Sequence, residues 1–84
     1  MTGEELHAAR RTLGERIGLG RPLYGSEIGV ALGLKGKRPG DAVHDWERGE
    51  GPTGPAAAAV RGWLRETDRG HIPPELAALA QSAP

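Results

Sequence analysis

Apolar residues recur at helical spacing in successive segments of the chain, and glycine or proline separates these segments. Thr2 and Glu5 have the Thr-x-x-Glu spacing of a capping box, in which two side chains satisfy free N–H groups at a helix start. The apolar spacing that follows predicts a helix over residues 3–13, with Gly14 as its C-terminal stop. Residues 15–22 are rich in glycine, which predicts a loop.

A second, shorter helix is predicted at residues 25–32. Its apolar positions, Ile28, Ala31 and Leu32, have the i, i+3, i+4 spacing that places side chains on one face of a helix. Gly33 follows directly, and glycine readily adopts the left-handed conformation that ends many helices. We therefore expect the chain to leave the helix at Gly33.

A third helix is predicted to begin at Pro39 and to end at Gly49. Proline suits the first position of a helix, where no backbone N–H is needed, and glycine is a natural terminator. Helical periodicity places Val43 and Trp46 on one side, which forms a face to bury. The opposite side carries polar and charged side chains that we expect to be exposed, namely Asp41, His44, Asp45 and Arg48.

Residues 55–65 predict a fourth helix, and residues 74–80 predict one more short helix. No segment shows the alternating pattern of a strand. The sequence therefore predicts an all-α fold, a compact bundle of four to five helices. Candidates for a dimer surface are Trp63, Leu76 and Leu79. We expect the side chains of Arg16 and Arg21 to be solvated.

Size and composition restrict the classes of function. With 84 residues the chain forms one small domain, and it has no cysteine for disulfides or cysteine metal sites. Lys plus Arg and Asp plus Glu number 11 each, which argues against a protein that coats nucleic acid by charge alone. No apolar run approaches the roughly 20 residues of a membrane span. Because acidic residues stand where a signal peptide would be basic, we expect a cytoplasmic protein.

The exposed face of the third helix has the properties of a DNA-reading surface. A recognition helix needs one side buried against the preceding helix and another that reaches base edges in a groove about 12 Å wide. Candidate base contacts are Asp41, His44 and Asp45, since a carboxylate can accept a hydrogen bond from the cytosine amino group. The alternatives are that Asp41 stabilises the helix dipole and that Asp45 forms a salt bridge with Arg48.

Residues around that face are candidates for phosphate contacts, which fix position but do not read sequence. A basic cluster precedes the third helix, and hydroxyl groups lie at the start of the second. The alternatives are a solvated basic loop and, for Ser26, a plain N-cap. The candidate phosphate contacts are Tyr24, Ser26, Lys35, Lys37, Arg38 and Arg48.

Two runs of residues resemble a known family, namely Ile28-Gly29-Val30-Ala31-Leu32-Gly33-Leu34 and Val43-His44-Asp45-Trp46-Glu47-Arg48-Gly49. They are similar to the second and third helices of phage-repressor-type helix-turn-helix proteins, the Cro/C1 type or xenobiotic-response-element family. The resemblance covers roughly residues 3–65. It implies a lambda-repressor-like helical domain, usually dimeric, that binds double-stranded operator DNA and regulates transcription without a cofactor.

The sequence pattern also predicts a division of the chain. Residues 1–66 would form the helix-turn-helix domain, and residues 67–84 a tail with a short helix and a role in forming a homodimer. No feature indicates a small-molecule ligand or a membrane partner. The implied function is a repressor of phage or mobile-element type that binds an inverted repeat.

The chain departs from that family at the start of the second helix, where the family usually carries Ser-Gln or Thr-Gln and this chain has Tyr24 and Gly25. Pro39 stands where Ser or Thr normally begins the third helix, and the connections before both helices are longer. The alternative is therefore a helical protein-interaction module that keeps the fold without binding DNA. We do not expect an enzyme, because so short a chain has little room for a pocket of converging catalytic groups.

Overall fold

The computed structural model describes residues 1–36 and 38–81. In this part the chain forms five α-helices and no strand, so the predicted all-α fold is confirmed. The helices are α1 (Gly3–Arg16), α2 (Gly25–Ala31), α3 (Pro39–Arg48), α4 (Gly54–Asp68) and α5 (Pro74–Gln81).

Helix α1 begins at the predicted capping box. The Thr2 N–H donates to Glu5 Oε1 at 2.9 Å, and the Glu5 N–H donates to Thr2 Oγ1 at 3.0 Å. These bonds satisfy free donors of the first turn, and hydrogen bonding from Thr2, chiefly from its N–H, holds the pKa of the Glu5 carboxyl below its usual range.

The prediction that Gly14 stops α1 is wrong, because the helix continues to Arg16. Gly14 is buried inside the helix, and a Cβ at this position would lie 1.8 Å from the carbonyl oxygen of Arg21. Glycine is therefore needed here for a close approach of the following loop, and not for the end of the helix.

Helices α2 and α3 form the most extensive helix pair, and they cross with their backbones in direct contact. A Cβ on Gly29 would lie 2.3 Å from the Pro39 carbonyl oxygen, and a Cβ on Gly40 would lie 2.8 Å from the Ser26 nitrogen. Both glycines are buried. Their missing side chains fix the distance between α2 and α3.

The end of α2 follows the prediction. Gly33 has a φ of +78°, and the Leu34 N–H donates to the Gly29 carbonyl at 3.0 Å. This bond satisfies a carbonyl at the end of the helix. Leu34 is half-buried, in keeping with the apolar contact that accompanies such caps.

One apolar core joins all five helices. The tail helix α5 contributes Leu76, which is fully buried, and the indole N–H of Trp63 donates to Glu75 Oε2 at 3.0 Å. Trp63 is only 5 % exposed, so neither it nor Leu76 offers a surface for dimerisation. The buried apolar residues of this core are Leu6, Ala9, Leu13, Ile17, Leu23, Ile28, Val43, Val60, Trp63 and Leu76.

Two arginines that the sequence predicts to be solvated instead join elements of the fold. The Arg16 guanidinium donates to the Leu64 carbonyl oxygen at 2.9 Å, which fixes the end of α1 to α4. The Arg21 guanidinium forms two hydrogen bonds with the Glu27 carboxylate, at 2.8 and 3.1 Å. Their partners lie on other elements, which local sequence patterns do not reveal.

In the described part of the chain, the helices are all too short or too polar to cross a membrane.

Candidate functional site

Helix α3 has one side buried in the core and one side facing solvent, as predicted. Val43 is fully buried, and Trp46 is half-buried against the core. Trp46 is therefore an anchoring residue, although less deeply buried than its size suggests. The outward side chains are all exposed, and they are Asp41, His44, Asp45 and Arg48.

The outward side of α3 continues onto the start of α2. One depression is lined by Asp41, His44, Asp45 and Arg48 beside Glu47. A second depression also includes Asp41 and His44, and it extends along the α2–α3 crossing. Together they form one continuous surface, which we call the α2–α3 surface and which comprises Tyr24, Ser26, Arg38, Asp41, His44, Asp45 and Arg48.

Tyr24 is the N-cap of α2 and is 56 % exposed. The Arg21 guanidinium lies 3.9 Å from the centroid of the Tyr24 ring, in a cation–π arrangement. Arg21 thus contacts both the Tyr24 ring and the Glu27 carboxylate. The N-cap alternative for Ser26 is wrong, because Tyr24 is the N-cap and Ser26 is the second residue of the helix.

The Arg21–Glu27 pair sets the electrostatics at the start of α2. Hydrogen bonds from Arg21 and from the Tyr24 N–H, the latter at 2.7 Å, hold the pKa of the Glu27 carboxyl below its usual range. The same pairing with Glu27 raises the pKa of Arg21. Both groups are therefore charged at neutral pH, and their charges cancel locally.

An ion pair also lies on the exposed side of α3. Arg48 donates to Asp45 Oδ1 at 2.5 Å, and the side chains are 77 % and 70 % exposed. This is the salt-bridge alternative foreseen for Asp45. Asp41 has no ion-pair partner in the described part of the chain, so its carboxylate is free to accept hydrogen bonds from solvent or a ligand.

The predicted basic cluster is only partly joined to this surface. Arg38 is exposed and lines the depression at the α2–α3 crossing. Lys35 is exposed in the preceding turn and lines neither depression. Lys37 lies outside the described residues.

The position of α3 depends on a residue that the sequence analysis did not single out. Glu47 accepts hydrogen bonds from the Arg10 guanidinium at 2.6 and 2.8 Å, and Arg10 Nε donates to the Leu23 carbonyl at 2.7 Å. Arg10 thus joins α1, the loop before α2, and α3. The sequence offers one indication of this role for Glu47, which follows the anchoring Trp46 and is not among the outward residues of the helix.

The described residues contain no group of three or more histidine, aspartate or glutamate side chains arranged to hold a metal ion. Comparing the chain with models of protein families, with curated proteins and with solved structures gave no match. A functional interpretation therefore depends on the residues and geometry of the α2–α3 surface.

Proposed function

We propose that this protein is a sequence-specific DNA-binding regulator of transcription, with α2 and α3 as a helix-turn-helix and α3 as its recognition helix. The resemblance to Cro/C1-type proteins supports this function. On this proposal the protein is a repressor of phage or mobile-element type, and it acts in the cytoplasm, where it has access to DNA.

The observation that carries the proposal is the continuity of the α2–α3 surface. Helix α3 is anchored by Val43 on one side and presents polar side chains on the other, while Tyr24 and Ser26 lie beside its first turn. A helix with its side chains is about 10–12 Å across, which matches a major groove about 12 Å wide. Groups at the start of α2 would then lie against the phosphates that border the groove.

The chemistry of this surface divides the contacts into two kinds. Asp41 and His44 are the proposed base contacts, because both are exposed on α3 and neither forms an ion pair with another described residue. Asp45 orients Arg48 through their salt bridge and is the third candidate. The proposed phosphate contacts are Tyr24, Ser26, Lys35, Lys37, Arg38 and Arg48.

A homodimer completes the proposal. Two copies on an inverted repeat would place their recognition helices about 34 Å apart, one turn of DNA. The molecule measures 30 × 26 × 20 Å, so copies at that spacing lie side by side on one face of the duplex.

The test is fluorescence anisotropy of a labelled random-sequence duplex with increasing protein, repeated across salt concentrations. The proposal expects binding at low salt that weakens steeply as salt rises, because phosphate contacts release counterions. Absence of binding to any duplex at low salt would rule the proposal out.

One observation favours the alternative of a protein-interaction module without DNA binding. On the α2–α3 surface the carboxylates of Asp41 and Asp45 balance the guanidinium groups of Arg38 and Arg48. A neutral surface gains little from the phosphate backbone. Competition between random-sequence duplexes and duplexes selected for binding separates the two functions, because the module would show no preference between them.

A further inference from the structure

The exposed side of α4 carries three arginines in a row, Arg61, Arg65 and Arg69. They are spaced four residues apart, the last being the C-cap of the helix. Each step advances about 6 Å along the axis, and side chains four residues apart lie on nearly the same side. We call this row the α4 arginine stripe.

The charge of the stripe is not neutralised by ion pairs. No carboxylate lies within 4.0 Å of its guanidinium groups in the described part of the chain, although Arg61 is close enough to Glu5 to act on it electrostatically. By contrast, Arg10 and Arg48 each have a carboxylate partner. The stripe therefore carries three guanidinium groups without ion-pair partners in the described part of the chain, on a helix that also exposes the carboxylates of Glu66 and Asp68.

Small residues lie beside the first part of the stripe. Ala58 is exposed one turn before Gly62, and both are near the arginines on the helix surface. A Cβ added at Gly62 would meet nothing closer than Arg65 Nη2 at 3.8 Å. Packing therefore does not require glycine at this position. Because Gly62 has no side chain, a ligand can approach the helix backbone closely.

The stripe lies on a different part of the molecule from the α2–α3 surface. Helix α1 contacts α3 through Arg10, which pairs with Glu47. It contacts α4 through Arg16, which bonds the Leu64 carbonyl oxygen. No residue of α4 lines either depression of the α2–α3 surface, so the stripe is a separate part of the molecular surface.

We propose that the α4 arginine stripe is a phosphate-binding surface that contacts the phosphodiester backbone of a nucleic acid, separately from the α2–α3 surface. Guanidinium groups form paired hydrogen bonds with phosphate oxygens, and a regular row of them suits a polymer with regularly repeated charges. An acidic protein partner is disfavoured because its interface would need aromatic or apolar anchors, whereas the exposed neighbours of the stripe on α4 are Ala58, Glu66 and Asp68. The inference does not depend on the proposed role of α3.

The test compares the full chain with the triple variant Arg61→Gln, Arg65→Gln, Arg69→Gln in binding to a random-sequence duplex across salt concentrations. Loss of three phosphate contacts makes the slope of log affinity against log salt shallower by about 2.7. An unchanged slope in a variant that melts like the wild type would overturn the proposal. Arg11→Gln is the matched control, because it leaves the stripe intact and removes an exposed arginine of α1 that forms no ion pair among the described residues.

A second variant, Ala58→Glu, keeps all three arginines but adds a carboxylate beside them. It is expected to weaken duplex binding, and wild-type affinity in this variant would contradict the proposal. Polyglutamate serves as a second probe. Binding of polyglutamate that depends on the stripe, without any binding of duplex DNA, would assign the stripe to an acidic protein and overturn the nucleic-acid proposal.

The two proposals fail in distinguishable ways. In one outcome, changes in the stripe alter the salt slope while changes at Asp41 and His44 leave sequence preference unaltered. The proposal for the stripe is then supported, and the proposal that α3 reads base sequence is wrong. If the α3 changes alter preference and the stripe changes leave the slope unaltered, the stripe proposal is wrong.

Discussion

Glu47 near the end of α3 receives two hydrogen bonds from the Arg10 guanidinium of α1, at 2.6 and 2.8 Å, and both side chains are only 14 % exposed. Arg10 also bonds the Leu23 carbonyl oxygen. The pair therefore fixes α3 to two other parts of the fold, while the outward side of α3 remains free. The orientation of the proposed recognition helix depends on this contact.

Replacing Arg10 with methionine is expected to lower the free energy of unfolding by about 2–3 kcal/mol. The variant leaves the Glu47 carboxylate largely buried and without its main partner. The expected loss of stability is reduced only slightly by solvent, because the side chains of the pair are only 14 % exposed. Urea denaturation followed by circular dichroism measures the change.

The matched control is Arg48→Met, which removes an arginine from an ion pair that is 77 % and 70 % exposed. It is expected to change stability by less than about 1 kcal/mol, because water screens exposed pairs. Equal losses in the two variants would show that burial of the Arg10–Glu47 pair is not what stabilises the fold.

Alanine at Gly29 is expected to destabilise the protein by about 1–3 kcal/mol, despite the better helix propensity of alanine. The new Cβ would lie 2.3 Å from the Pro39 carbonyl oxygen and would force α2 and α3 apart. Gly62→Ala is the matched change in an open position, and it is expected to stabilise by about 0.5–1 kcal/mol. Thermal melts of both variants check the sign, and stabilisation by Gly29→Ala would show that the helices do not cross so closely.

The Arg21–Glu27 pair is expected to make stability depend on pH. The folded state holds the pKa of Glu27 below its unfolded value of about 4.3, so the stabilisation is present above that pH and is lost as pH falls through the folded pKa. Glu27→Gln is therefore expected to melt below the wild type at neutral pH, with the difference shrinking as pH falls below about 4.3.

Melting temperatures across this pH range test that expectation. Glu15→Gln is the control, because Glu15 is exposed on α1 and forms no ion pair in the described part of the chain. A difference between Glu27→Gln and the wild type that stays constant down to low pH would mean that the charge of Glu27 is not the cause.

Changes on α3 and in the preceding turn are expected to affect DNA binding differently. Asp41→Asn or His44→Ala should alter preference at individual base pairs, by about 1–3 kcal/mol for each lost base contact. Arg38→Ala should weaken binding to all sequences alike and make the salt slope shallower by about 0.9. Competition between selected and random duplexes measures preference, and unaltered preference in both α3 variants would contradict the assignment of the base contacts.

Local sequence signals predicted the helices well. The capping box at Thr2, the left-handed Gly33 and the start of α3 at Pro39 each depend on chemistry within a few residues, and each is found as expected. Periodicity likewise predicted which side of α3 is exposed, with Val43 on the buried side.

The same signals could not reveal long-range contacts. Gly14 in α1 has the sequence appearance of a terminator, and only the approach of the loop at Arg21 shows that it is needed for packing. Arg10 and Glu47 are 37 residues apart, so no periodic pattern connects them. Tyr24 likewise lies on the same surface as the outward residues of α3 only because of the way in which α2 and α3 cross.

The central claim, that the α2–α3 surface binds DNA, is tested most directly by NMR titration of the ¹⁵N-labelled protein with a duplex. The account predicts that amide signals at the start of α2, near Tyr24 and Ser26, and along α3 from Asp41 to Arg48 shift as the duplex is added. Duplex binding that leaves the signals of α3 unchanged, or no shift anywhere at low salt, would contradict it.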